Sequence, residues 1–598
     1  MTAPVPAPAR PGATAADLAT GQATGPATTF AADLVVTGAR VRAVAGDWHT
    51  AVAVRAGVVS GFDGDALGQV GRGTRVVEAS GGLVLPGFVD AHAHPVQAGM
   101  DLSRVWLHDV LGSDEYLRVV AAYARAHPEQ EWIVGGGWAT ECFAGGAPRA
   151  EDLDRVSGGR PAFLFNRDVH GAWVNTAALR LAGITRNTPD PVDGRIERDP
   201  DGTPTGTLHE GAAYAFLEGT VPPPPPAQLR AGVLTAQAHL HALGVTSWQD
   251  AAVMPHHQDA YQALAADGRL LSRVVGALWW DRHRGLDQIE DFVDRREQAR
   301  TARPAAGVPG FHAGTVKIMV DGVIENRTAA LLEPYLAPHH HDAHGDPPSG
   351  TGTGPTTGPT AGSRYVSADL LAEAVTRLDR LGFQVHLHTI GDRAVRDALD
   401  AIAAAARANG HPGLRRHHLA HVQVVHPDDI PRFADLGVTA NCQAFWAKHD
   451  RQMDDLTVPV LGPGRTAQQY PFASVHRAGG RLAMGSDWPV TTADPLPQLE
   501  VAVTRVPPDH RDDCDVPPLH PRERLPLAVA LDAFTVGSAH VNHDPDGGRL
   551  RPGGRADLVV LDTDVTAPGF ATADRAPLAD VRVLLTVAHG RVVHDRVR

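Results

Sequence analysis

The chain has 598 residues, 43% of them hydrophobic and 20% charged, with a formal net charge of −14. An acidic balance spread along the chain argues against nucleic acid or an anionic membrane as partner, and no stretch approaches the ~18 uninterrupted apolar residues of a membrane span. Three cysteines without CxxC spacing, Cys142, Cys442 and Cys514, fit reduced thiols in a cytoplasmic protein and leave any metal chemistry to other ligands.

Residues 1–29 are rich in Ala and Pro and lack the basic start and apolar core of a signal peptide, so a disordered tail is expected there. From residue 30 to 88 apolar and polar residues alternate around Gly-containing turns, the pattern of short antiparallel strands, and residues 545–598 repeat it. The two segments are expected to form the two parts of one small β-sandwich, with everything between them inserted. Over residues 89–544, short apolar runs that end in polar residues alternate with helical stretches, which predicts an α/β fold, a (β/α)8 TIM-like barrel. Residues from about 101 to 250 exceed one crossover and are read as a subdomain inserted near the barrel mouth. The Gly/Pro/Thr-rich stretch 337–363 reads as a low-complexity, solvated loop, its histidines included.

His92 and His94 in "DAHAH" lie two apart on a strand, so both side chains point the same way, as two ligands of one metal require. Further polar residues follow at strand ends: Lys317 in "TVKIMV", His388 in "QVHLH", His421 before "VQVV", and Asp487 in "LAMGSD". Each alone would suit a satisfied core position. Together they put one metal-competent side chain at the C-terminal end of successive strands, where a barrel builds its site. Lys317 is one of only two lysines in an arginine-using chain, the other being Lys448. His386, two residues before His388, faces the same way but deeper and reads as a supporting residue.

The ordered set "LPGFVDAHAH", a strand lysine, "HTIGD", "HLAHVQ" and "GSDWPV" resembles the amidohydrolase superfamily of metal-dependent hydrolases. Within it, "GGGWATECF", "DVHGAWVNTAALRLAGI", "TPDPVDGRIERDPDGTPTGTLHEGA", "DGVIENRTAALLEPY" and "GGRLRPGGRADLVVLD" resemble the amidohydrolase-3 group, which includes N-substituted formamide deformylases. The resemblance implies that His92, His94 and Asp487 hold one divalent metal and His388 and His421 a second, most simply two Zn2+. Lys317 would bridge them as a carbamate derived from carbon dioxide, which a buried, neutral amine can form. The family more often has an acid where Ala420 stands.

The implied reaction is cleavage of a C–N bond of an N-substituted amide or formamide by metal-activated hydroxide, with Asp487 as proton shuttle. His170 is the third candidate catalytic residue, polar where core packing does not require it. Trp138, Phe143, Trp173, Trp279, Trp446 and Trp488 are candidate walls for an apolar or aromatic substituent of a small-molecule amide. A homo-oligomer is compatible with this reading. Two other readings are a mononuclear aminohydrolase of a heterocycle, for which "HTIGD" offers only Asp392 as an acid near His388, and a non-catalytic regulatory relative.

Overall fold

A computed structural model describes residues 31–143, 146–336, 360–410, 413, 415–513 and 515–597. The expected tail, most of the 337–363 loop and Cys514 lie outside the described residues.

The centre is an eight-stranded, all-parallel sheet. Its strands in chain order are β1 (Phe88–Ala93), β2 (Val245–Val253), β3 (Arg273–Trp279), β4 (Phe311–Met319), β5 (Gln384–Thr389), β6 (His418–His421), β7 (Thr439–Cys442) and β8 (Arg481–Met484). Each pairs with the next, giving a nearly closed TIM-like barrel. β1, β5, β6 and β7 are buried along their whole length, as expected where helices cover the outer face of a parallel sheet. The helices Ala368–Arg380 and Asp392–Asn409 each turn an apolar stripe inward, the first with Ser367 accepting the Leu370 N–H as its cap, the second stopping at Gly410 with φ 73°.

β8 and β1 are the two ends of the strand order, and the chain just past β8 joins them. The Asp487 N–H donates to the His92 carbonyl at 2.7 Å and the His94 N–H to the Trp488 carbonyl at 2.8 Å. The buried Asp90 carboxylate accepts from the N–H of Ser486 at 3.0 Å, the Ser486 hydroxyl at 2.5 Å and the His92 N–H at 3.0 Å. Gly485 is required at this crossing, because a Cβ there would lie 2.5 Å from the His92 backbone nitrogen.

The two ends of the chain meet in one continuous sheet, joined where Leu83–Pro86 pairs antiparallel with Leu558–Leu561. Apolar residues from both ends, among them Val36, Val54, Val84, Leu558 and Leu585, share one cluster.

The tract expected to be inserted, about 101–250, divides. Strands from Val105–Trp106 to Pro204–Glu210 form a separate six-stranded sheet, followed by the helix Gly211–Thr220. The helix Pro226–Ala242 then returns to the barrel and packs on Pro95–Asp101, leading into β2. The expected end at about 250 falls inside the barrel strand Val245–Val253. Among the described residues no helix is long and apolar enough to cross a membrane.

The Gly485 crossing gives a test. Gly485→Ala should lower stability by about 1–3 kcal/mol, the usual cost of overpacking, read as an earlier midpoint in chemical denaturation. Unchanged stability would show that the seam yields freely.

Candidate metal centre

The seam places Asp487 against the two histidines of β1. Its Oδ1 lies 3.1 Å from His92 Nε2 and 3.0 Å from His94 Nε2. Lys317, pointing inward from β4, brings Nζ to 3.5 Å from His92 Nε2. The His421 ring sits 4.8 Å from that of His92 and 4.5 Å from that of His388, which joins the two halves of the cluster. Ligand atoms of His92, His421 and Asp487 all lie within 4.8 Å of one another, and all three residues are buried. His421 Nδ1 is buried with no hydrogen-bond partner among the described residues. His388 Nε2 lies 3.3 Å from the Gly322 carbonyl.

The electrostatics suit cation ligation. Burial, reinforced by Lys317, pushes His92 down to about 3. Burial and Lys317 also hold His388 well below the imidazole range, and burial with neighbouring His388 does the same to His421. Burial opposes the charge on Asp487, but His92 and then His94 outweigh it and hold this carboxyl well below its ordinary range. Burial brings the Lys317 ammonium down to about 7 against a weaker upward pull from Asp487. Neutral imidazoles, an ionised carboxylate and a readily neutralised amine are the donor states a divalent cation needs.

His170 reaches the cluster from the inserted sheet. It ends a tight turn between Ala162–Asn166 and Gly171–Val174, where Asp168 Oδ1 accepts its N–H at 2.8 Å and Val169 adopts φ 59°. The ring is 5.7 Å from that of His388, and Nδ1 lies 2.8 Å from Glu210 Oε2. Glu210 Oε1 accepts in turn from the Thr328 hydroxyl at 2.8 Å and the Asn326 amide at 3.2 Å. Burial disfavours both charges, yet each stabilises the other: His170 is pushed up to about 9 and Glu210 down to about 2. Glu210, Asn326 and Thr328 belong to segments that resemble the family, but no spacing rule links residue 210 to 328.

Sequence reasoning also missed Gln249. This fully buried amide on β2 lies 2.7 Å from His386 Nδ1, while His386 Nε2 lies 2.9 Å from His92 Nδ1. Among the candidate pocket walls, Trp446 stacks on His421 at 5.0 Å, and Trp488 stacks on His239 at 4.9 Å beside Asp487. Trp138, Phe143 and Trp173 instead pack edge-on against one another inside the inserted subdomain. Trp138 and Trp173 are fully buried there, and their indole N–H groups donate to the carbonyls of Leu164 and Arg149. Asp392 caps a loop by accepting the Leu332 N–H.

The model of the amidohydrolase family matches residues 75–594. The chain belongs to the amidohydrolase family. Such a member is a metal-dependent hydrolase acting on C–N bonds, and the buried His/His/Asp cluster fits the divalent metal it uses. The chain is 30% identical over 536 residues to the Arabidopsis thaliana protein LONG AFTER FAR-RED 3, covering 84% of this chain and 83% of that one. It is 27% identical to the N-substituted formamide deformylase of Arthrobacter pascens, covering 94% and 98%. Among solved structures, an uncharacterized metal-dependent hydrolase from Pyrococcus furiosus superposes with a TM-score of 0.64 at 25% identity, covering 89% of this chain and 99% of that one.

The buried pair supplies a signed pH prediction. The raised His170 contributes stability that is full below 6.5 and lost as pH rises through about 9; the lowered Glu210 contributes stability present above 4.5 and lost as pH falls through about 2. Glu210→Gln should therefore cost most between pH 4.5 and 6.5, about 3–5 kcal/mol for breaking a buried pair. Denaturant midpoints of the two proteins should converge toward pH 10; a gap independent of pH would contradict the charged pair.

Proposed function

We propose that the protein cleaves the C–N bond of an N-substituted amide or formamide at a binuclear centre. The observation that carries this reading is the convergence of Asp487, His92, His94 and Lys317 with His388 and His421 at the carboxyl ends of the barrel strands. His92, His94 and Asp487 would hold one ion, His388 and His421 the other. The orphaned His421 Nδ1 and the crowding of neutral imidazoles around one carboxylate favour cation ligands over ordinary core residues. Two bound divalent ions, zinc by this donor set, would polarise the substrate carbonyl and acidify the attacking water.

Lys317 would serve both ions. Its neutral amine would add carbon dioxide, forming an N–C bond as one C=O π bond opens and one proton leaves, and the carbamate would share a single negative charge over two oxygens. Arginine could not replace it, since the guanidinium stays protonated.

The side chains carry the proton traffic. Asp487 accepts a proton from the attacking water and hands it to the departing nitrogen. With Nδ1 committed to Glu210, His170 keeps its other ring nitrogen as a charged donor for the substrate carbonyl or its developing oxyanion. The formamide end of the substrate range is favoured by the likeness to the Arthrobacter pascens enzyme over almost the whole of both chains.

Metal analysis of purified protein should find two divalent ions per chain, and a panel of N-substituted formamides and acetamides should be hydrolysed, followed by chromatography. His92→Ala, Lys317→Ala and Lys317→Arg should each lower turnover by about a hundredfold or more. Full activity in His92→Ala and Lys317→Ala would sink the reading, and ammonia release from amino-heterocycles with a single bound ion would favour the aminohydrolase alternative.

A further inference from the structure

Beneath the candidate metal centre lies a chain of buried side chains whose proton positions can be worked out from fixed points. It starts at Gln384 on β5, whose Nε2 lies 2.7 Å from the Arg416 carbonyl and 2.8 Å from the Val541 carbonyl. Carbonyls only accept, so that atom is the amide nitrogen, and Gln384 Oε1 is the acceptor facing the barrel interior. The Thr315 hydroxyl donates to it at 2.7 Å, and Gln249 approaches it at 3.4 Å. The atom of Gln249 on that side must therefore be its NH2, which is also 3.2 Å from Asn542 Oδ1.

Gln249 Oε1 is thereby turned to the opposite side, where it meets two imidazoles: His386 Nδ1 at 2.7 Å and His418 Nε2 at 3.1 Å. An amide oxygen has no proton to give, so both of these ring nitrogens carry one. Both rings are buried, and among the described residues no carboxylate pairs with either, so each ring is neutral and its other nitrogen bears a lone pair. For His386 that lone pair, on Nε2, faces His92 Nδ1 at 2.9 Å. His92 must donate there, which leaves the lone pair of His92 on Nε2, the atom turned toward Asp487 and Lys317. His418 follows the same logic: its Nδ1 accepts from Asn441 at 3.2 Å, Gln443 donates to the Asn441 oxygen at 3.2 Å, and Gln443 Oε1 accepts the His421 N–H at 2.8 Å.

We propose that Gln249 is a positioning residue that sets the tautomer of His386 and, through it, keeps His92 in the form whose Nε2 lone pair faces the metal centre. The inference rests on the metal-centre reading for its consequence, not for the proton arrangement itself. A residue that accepts two N–H groups holds both rings in register; an apolar residue of similar size would free His386 to turn or to take the other tautomer, and His92 would lose its acceptor. Outer hydrogen-bond partners of metal-binding imidazoles are worth about 10–100-fold in metal affinity.

Two measurements test this on the full chain. In metal-free wild-type protein labelled with 15N-histidine and assigned by difference against His386→Asn, His386 should show a protonated Nδ1 and an unprotonated Nε2; the reverse tautomer overturns the proposal, whatever the variants do. Zinc affinity by chelator competition should fall about 10–100-fold in Gln249→Leu, while Gln249→Glu, which keeps both acceptor sites, should recover part of it. Equal affinity in a folded Gln249→Leu overturns the proposal while leaving the metal reading intact, whereas wild-type protein that binds no divalent ion defeats that reading and leaves the tautomer measurement to decide this one.

Discussion

Everything at the site depends on how the barrel closes. β8 is four residues long and shares no strand ladder with β1, so the seam is made by the segment after it, Gly485 to Trp488, hydrogen-bonded to the residues around His92. The bonds that close the fold therefore also fix Asp487 over His92 and His94. Asp90, one turn of the strand pleat below His92, ties the backbone of both sides to one buried carboxylate, pushed up to about 6 by burial despite its three donors. Ring closure and the placement of the candidate ligands are the same set of contacts, and neither can be loosened alone.

Some of the positive-φ backbone, which is spread over the molecule, falls around that constraint. Asp487 has φ 55°, His421 φ 74°, Glu210 φ 52° and Val169, beside His170, φ 59°. A non-glycine residue in this region costs of order 1–3 kcal/mol and persists only when its surroundings over-determine it. Here they do: the Asp487 N–H and carbonyl are both used, the second by Val490, and the His421 N–H is held by Gln443. These four come from the barrel seam, the end of β6 and the inserted subdomain, and they meet around one cluster of imidazoles.

How much of this was legible in the sequence follows from range. The barrel was legible because several of its strands, β1, β5, β6 and β8 among them, end at or just before a polar residue after a short apolar run, a local pattern, and the pair of histidines in "DAHAH" follows from the two-residue period of a strand. The joining of the chain ends was legible from their matching alternation. Gln249, Asn441 and Asn542 were not, because an amide in a buried strand carries no signal until its partners, 137 residues away for His386, are known. Glu210 was hidden for the same reason. The aromatics of the inserted subdomain misled because a Trp looks the same in sequence whether its N–H meets a ligand or, as for Trp138, a backbone carbonyl.

The depth of the barrel sorts its histidines by their surroundings. His386 pairs in register with His418, and Thr389 with His421, so the first two lie on a lower level than the residues at the strand ends. A buried polar layer is costly unless its members are satisfied, and here His386, His418, Gln249 and Asn441 all have partners at 3.2 Å or less, while the Asn542 amide nitrogen is buried without one. The upper level differs, since His421 keeps a buried nitrogen without a protein partner and Lys317 keeps an amine that burial brings down to about 7. Satisfaction below and unsatisfied capacity above is the distribution expected of a scaffold that spends its hydrogen bonds on orienting ligands and leaves their lone pairs to a cation. The same strands that carry the candidate ligands thus carry their hydrogen-bonded neighbours one pleat deeper, which is why the two histidines of "QVHLH" have different surroundings.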